Sequence, residues 1–345
     1  MENITGYKIN RFKEFWNRTN KTPLISYSIG KYFPSQRYNA ALKFLEYNGC
    51  ILSNMINVED FKSDYLRLAI EYDELNEDSF FTGVPFTGLP WMEAILGCEI
   101  YSTKISFVAH SQQTDINNFH IEKVFNCEWF KKYIEFTCKL KEWGKDKFPV
   151  GQPIMRGPSD IAGTILGQEQ LVYDFYDYPG KVVKLMNGSV DIFLDLIKEQ
   201  KKQIDSFHGG SAIGFYNLWC PGDCIWFQDD LNSLLSPDIY KKYIHNIHRR
   251  ICKGYKYSLF HLHPVSFYII DYLLDIDELT AIQINKDVGG PAIEEMIPVF
   301  KKVQNKKNLI VWGDFDSKEL DVLMKNLRPE GLYIIIFSEQ KKQVD

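Results

Sequence analysis

The apolar positions of this chain recur in two periods, one helical and one extended, and from about residue 149 the two alternate. Near the start, Ile9, Phe12, Phe15 and Trp16 fall on one side of a helix over residues 7–18. The run 23–29 reads as a strand closed by Gly30. Val58, Phe61, Tyr65, Leu68 and Ala69 recur at spacings of three and four and predict a helix over 58–75. Residues 79–84 form a short strand, and 116–147 are mostly helical. Strands are then expected over 150–156, 211–219, 257–261, 280–285, 308–312 and 332–337, with helices over 160–174, 179–205, 236–252, 265–274, 291–304 and 317–326. Ser236-Pro237 opens one of these helices with serine at the cap and proline in the first turn.

Strands separated by helices imply a parallel sheet, and eight such units imply a (β/α)8 TIM barrel. An open doubly wound sheet is the alternative, although no G-x-G-x-x-G follows the first strand. We therefore expect a single domain over 1–345, an α/β barrel with an N-terminal helical extension and an insertion over its mouth at 85–148.

Composition narrows the function. The 345 residues are 45% hydrophobic and carry a net charge of −5, with no basic block, so nucleic acid is not an expected partner. No run approaches the ~18 apolar residues of a membrane span. The polar N-terminus and seven irregularly spaced cysteines point to a reduced, cytoplasmic protein. The 15% aromatic share implies either an aromatic-lined pocket or simply a rich core.

In a barrel, chemistry sits where strands end. His261 and His263 close an apolar strand just before Pro264. Positions i and i+2 of a strand face the same way, about 6–7 Å apart. Two imidazoles so placed are half of a metal site; the bland alternative is two hydrogen-bonded core histidines. Catalytic zinc takes three protein ligands and keeps a position open. Candidates for the third are Glu339 and Asp229, with Cys220 and Cys224 as softer options; their C-x3-C spacing lacks the second pair of a zinc knuckle. Asp229-Asp230 precedes the Ser236-Pro237 helix and is either a capping loop or a pair of carboxylates that meet a substrate cation or orient a ligand. Arg156, before Gly157-Pro158, either grips a substrate carboxylate or forms a rim ion pair. Trp91 and Trp219 are candidate pocket walls, with core packing as the alternative.

The segments LPWMEAILGC (89–98), MRGPSDIAGTILG (155–167), DFYDYPGKVVKLM (174–186), FQDDLNSLLSPDIYKKYI (227–244) and FHLHP (260–264) together resemble the uroporphyrinogen decarboxylase superfamily. That superfamily includes zinc-dependent methyltransferases that exchange methyl groups with corrinoid proteins. The resemblance implies a TIM barrel. In the methyltransferase branch, His-x-Cys ends this strand and a second cysteine follows the last one. Here His261 keeps the histidine, His263 replaces the first cysteine, and Phe337-Ser338-Glu339 stands where the second would be. A His–His–Glu set is harder than His–Cys–Cys and suits oxygen or nitrogen substrates. The decarboxylase branch uses an arginine-rich N-terminal motif; here Ser28 to Pro34 lacks it, and Arg37 and Arg156 are the nearby arginines.

Three functions are thus expected. The first is methyl transfer at one zinc per chain held by His261, His263 and Glu339 (or Asp229), with a corrinoid carried by a partner protein and Trp91, Trp219 and Asp230 touching substrate. The second is metal-free decarboxylation of a small acid, with Arg156 as anchor and Asp229 as proton donor. The third is a binding protein on the same barrel.

Overall fold

The computed structural model describes residues 4–75, 77–117 and 126–339. Helix α1 (Ile4–Asn17) precedes strand β1 (Leu24–Ile29). Five further strands follow in the second half of the chain: β2 (Cys224–Gln228), β3 (Tyr257–Leu262), β4 (Ala281–Asn285), β5 (Asn308–Gly313) and β6 (Leu332–Ser338). They form one parallel sheet in the order β1-β6-β5-β4-β3-β2. Two extended segments complete a ring of eight. The Asp78 amide donates to the Ile25 carbonyl at 3.0 Å, and Gly83 bridges Val150 while Arg156 bridges Gln228. The expected α/β barrel is present, six of its members in ladders and two joined by single hydrogen-bonded bridges.

The weak pairing of 150–156 has a local cause. Pro149 and Pro153 offer no amide donor. At Gly151 a Cβ would stand 2.7 Å from the Ala212 carbonyl oxygen, so a neighbouring backbone occupies that space.

One expected barrel strand is not one. Residues 211–219 fold back into an antiparallel hairpin of Ser211–Ile213 and Leu218–Cys220, because the chain makes a helical turn at Gly214–Tyr216 and Asn217 adopts a left-handed conformation at φ 49°. The barrel position belongs to β2, whose apolar run lacks alternation because strands covered on both faces need none. Among the helices, the expected 160–174 breaks at Gly167 (φ 96°) into α2 (Pro158–Leu166) and Gln168–Asp177. The expected 116–147 is observed as Glu128–Gly144, with 118–125 outside the described residues. The stretch 85–148 also carries two strands, Ile100–Ser102 and Phe107–Ala109, of a small antiparallel sheet.

Alternate residues of the barrel strands divide the core. Phe260 and Leu262 face the helices, whereas Tyr257 and Leu259 face the interior with Trp226, Ile310 and Tyr333. Helix α1 closes the end of the barrel where the strands begin. Phe12 and Phe15 meet Tyr333 edge-on at 6.1 and 6.2 Å, and Trp16 packs on Tyr257 at 4.6 Å. The opposite end, where His261 and His263 stand, is left as the mouth.

Candidate metal centre and adjoining cavity

His261 continues the inward-facing series Tyr257, Leu259, so strand geometry alone aims it along the barrel interior. His263 follows just past the strand end, and Pro264 then turns the chain into a helical segment. The two rings stand edge to face with centroids 4.6 Å apart. Asp230, in the loop after β2, brings a carboxylate beside them; one ligand atom from each of the three residues lies within 4.8 Å of the other two.

Each imidazole has one nitrogen already engaged. His263 Nδ1 is 2.8 Å from both oxygens of Asp287, a pure acceptor, and so carries the proton. Among the described residues its Nε2 makes no hydrogen bond. His261 Nδ1 meets Gln283 Oε1 and, at 2.9 Å, the Tyr216 hydroxyl. Gln283 in turn donates from Nε2 to Asn285 Oδ1 at 2.8 Å, which leaves its own oxygen to accept from His261 Nδ1–H. The His261 Nε2 lone pair therefore faces Asp230, whose Oδ1 is 3.9 Å away. Two imidazoles with Nδ1–H anchored on acceptors and Nε2 directed at a shared point is the arrangement in which histidines hold divalent metals. Burial pushes the His261 pKa down, with help from His263, which keeps the ring neutral. Burial works the same way on His263, but the Asp287 hydrogen bond and the charges of Asp230 and Asp287 outweigh it and raise its pKa.

The donor set fits a hard or borderline divalent ion: two nitrogens and a carboxylate oxygen, open on the side of the mouth. Its third member is Asp230, which the sequence suggested as a substrate contact. Glu339, the expected third ligand, is exposed at the end of β6 and outside this cluster; β5 and β4 separate its strand from β3.

Asp229 is turned inward, 2% exposed. Its Oδ1 accepts from the Ser159 amide (2.9 Å), the Ser159 hydroxyl (2.7 Å) and the Asp160 amide (3.1 Å), and its Oδ2 meets His248 Nε2 at 2.7 Å. Asp160 reciprocates, accepting the amides of Asp230 (3.1 Å) and Leu231 (2.7 Å). The first turn of α2 and the loop carrying Asp230 thus cap one another. Gly157 permits the approach, since a Cβ there would lie 2.2 Å from the Gln228 carbonyl oxygen. Burial, then Asp229 and Asp230, raise the Asp160 pKa well above the carboxylate range.

Arg156 forms an ion pair, Nε to Glu93 Oε1 at 3.2 Å. Glu93 is only 1% exposed, and its burial raises its pKa despite the arginine. Arg156 also feels Asp160 and Asp230, which places it beside the cluster. Trp91 and Trp219 do not line the mouth. Trp91 is buried, donates to the Phe86 carbonyl at 3.2 Å and packs edge-on to Tyr133 and Phe136. Trp219 lies in the hairpin against α1, where its carbonyl accepts from Trp16 Nε1 at 2.8 Å. Cys220 and Cys224 flank the turn before β2, at the opposite end of that strand from Asp230.

A cavity of about 190 Å³ adjoins the cluster, walled in part by Tyr32, Arg37, Asn217 and Trp312. Tyr216 and Asn285 line it as well and stand between it and His261. Among the residues that build the site and its support, sequence reasoning missed Tyr216, Gln283 and His248. Gln283 had a signal, as the one polar residue in Ala281-Ile282-Gln283-Ile284, at an inward position in register with His261. Tyr216 had none, because its segment was read as part of a strand.

No family model matches this chain, and no curated protein sequence does. Among solved structures it is similar to a methyltransferase from Methanosarcina mazei, with a TM-score of 0.62 over 94% of this chain and 91% of that one. The likeness is one of fold. At 12% identity it carries the barrel and not the chemistry.

Proposed function

We propose that this protein is a metal-dependent methyltransferase of the uroporphyrinogen decarboxylase superfamily, passing a methyl group between a small oxygen or nitrogen compound and a corrinoid carried by a partner protein. The observation that carries the reading is the clustering of His261, His263 and Asp230, one ligand atom of each within 4.8 Å of the other two, with both Nδ1 positions anchored. A divalent metal bound there supplies Lewis acidity that polarises the bond to the methyl group. The chain's own residues do the rest. Asp287 and Gln283 fix the two imidazole tautomers, and Asp160 holds the Asp230 loop through two amides. The adjoining cavity, too small for a corrinoid, takes the small compound and leaves the corrinoid to approach from the mouth.

The donors are harder than a His–Cys–Cys set, which favours oxygen or nitrogen over a thiolate. The geometry also weighs against decarboxylation through Asp229, because both oxygens of that carboxylate are committed inside the protein. The reading is tested by incubating zinc-loaded protein with cob(I)alamin and a panel of small O-methyl and N-methyl compounds, following methylcob(III)alamin by absorbance. Formation with at least one donor, abolished in His263→Ala, is expected. No methyl transfer from any donor overturns it.

A further inference from the structure

The cavity beside the cluster has a one-sided wall. Among the described residues Arg37 is its sole charged lining residue, and no carboxylate lines it. The arginine is held in place by the loop it belongs to: Nε donates to the Lys31 carbonyl at 2.8 Å and Nη2 to Ser28 Oγ at 3.2 Å. Gly30, at φ 104°, lies against its stem, a Cβ there being 3.7 Å from Arg37 Cγ. Among the described residues no aspartate or glutamate forms an ion pair with it, and its Nη1 donates to no acceptor. A guanidinium so fixed and without a counter-ion is a receptor for an oxyanion.

The neutral groups agree in polarity. Asn217 has spent its oxygen on the Thr82 amide at 3.0 Å. Asn285 has spent its oxygen on Gln283 Nε2, so its Nδ2 remains for the cavity. The His261 Nδ1 proton is committed to Gln283 Oε1, so Nδ1 has no lone pair for the Tyr216 hydroxyl 2.9 Å away, and that hydroxyl's proton is unspent there. Gln283 must accept from His261 and donate to Asn285 whenever His261 keeps its proton on Nδ1. The tautomer that frees Nε2 at the cluster is therefore the one that turns a donor toward the cavity.

We propose that this cavity binds a small carboxylate with a second oxygen acceptor, the carboxylate on Arg37 and the acceptor oxygen on Asn285 Nδ2 and the Tyr216 hydroxyl. This names the ligand class of the methyl-transfer site and rests on that reading for its catalytic meaning, though not for binding. The cavity volume suits a ligand of a few heavy atoms. Its second oxygen then lies at the wall shared with His261.

The test uses methoxyacetate as probe and methoxyacetamide as its uncharged counterpart, titrated into the full chain with and without one equivalent of zinc and followed by ligand-observed NMR. Saturable methoxyacetate binding is expected, with the amide and the Arg37→Gln variant each weaker by about tenfold or more, as loss of a hydrogen bond to a charged group implies. Asn285→Asp, which sets a carboxylate against the ligand oxygen, is expected to weaken it as well. Equal affinity for acid and amide in the wild-type protein, or no binding of either, overturns the inference; this comparison needs no variant to fold. Carboxylate binding in a protein that takes up no zinc would leave the cavity assignment standing and remove the metal reading. Zinc uptake without carboxylate preference would do the reverse.

Discussion

At the scale of single residues, the candidate centre is a problem of where protons sit. A histidine can ligate only through a nitrogen that lacks one, and Asp287 decides this for His263 by accepting from Nδ1 through both oxygens. Removing that acceptor leaves the ligand in place but frees its orientation. Asp287→Asn is expected to weaken zinc affinity about 10–100-fold, measured by competition with a chromogenic chelator. Unchanged affinity would mean that Asp287 is a rim residue and nothing more. The histidine pair was legible from period two alone, because a strand end puts i and i+2 on one face. The third member of the cluster was not. Asp229 and Asp230 are adjacent and chemically identical in sequence, and only the fold shows that one turns into the core while its neighbour turns to the mouth. Glu339 looked equivalent along the chain, yet two strands intervene in the sheet.

At the scale of elements, Asp229 explains why the loop after β2 is rigid enough to present a ligand. Helix α3 (His245–Cys252) supplies His248, fully buried, whose Nδ1 meets the Tyr240 hydroxyl at 3.0 Å and whose Nε2 meets Asp229. A π-helical turn over Tyr240–Ile244 lies between tyrosine and histidine. Truncating His248 leaves one oxygen of a buried carboxylate without its hydrogen-bond partner. His248→Ala should therefore cost about 1–3 kcal/mol in urea unfolding, against a smaller loss for His248→Asn. A cost below about 1 kcal/mol would show that the α2 amides alone satisfy Asp229. Element types were readable where a long apolar run lay between two helical periods, as in β3, β5 and β6. They were misread at 211–219, where a left-handed Asn217 breaks a run that is apolar on both sides of it. The continuous apolar run of β2 carried no period at all.

At the scale of the whole molecule, the barrel is joined by ladders on one side and by single bridges on the other, and Glu77 sits near the weaker join. Its carboxylate accepts from the Tyr27 amide at 2.7 Å and the Ser79 hydroxyl at 2.8 Å, within reach of Lys8 from α1. Burial nevertheless raises its pKa from 4.5 to about 7. An acid whose folded pKa is raised holds its proton longer in the folded state than in the unfolded one. Stability is therefore lost as pH rises from about 4.5 to about 7, by roughly 3 kcal/mol at most, and the loss is complete above that window. Glu77→Gln should abolish this slope, seen as a wild-type-minus-variant stability difference that falls across the window. A flat difference would contradict the assignment. The apolar face of α1 was visible as Ile9, Phe12, Phe15 and Trp16, but that it closes a barrel end was not, since that depends on the ring and not on the helix.

The central claim is that Asp230, His261 and His263 form one metal site. The most direct measurement is the zinc content of the purified protein after equilibration with limiting zinc and desalting. Wild type should be compared with Asp230→Ala, a His261→Ala/His263→Ala double variant and Glu339→Ala. The account predicts about one zinc per chain in wild type and in Glu339→Ala, a marked loss in Asp230→Ala and none bound in the double variant. Zinc-free wild type, or zinc that survives in the double variant, would contradict it.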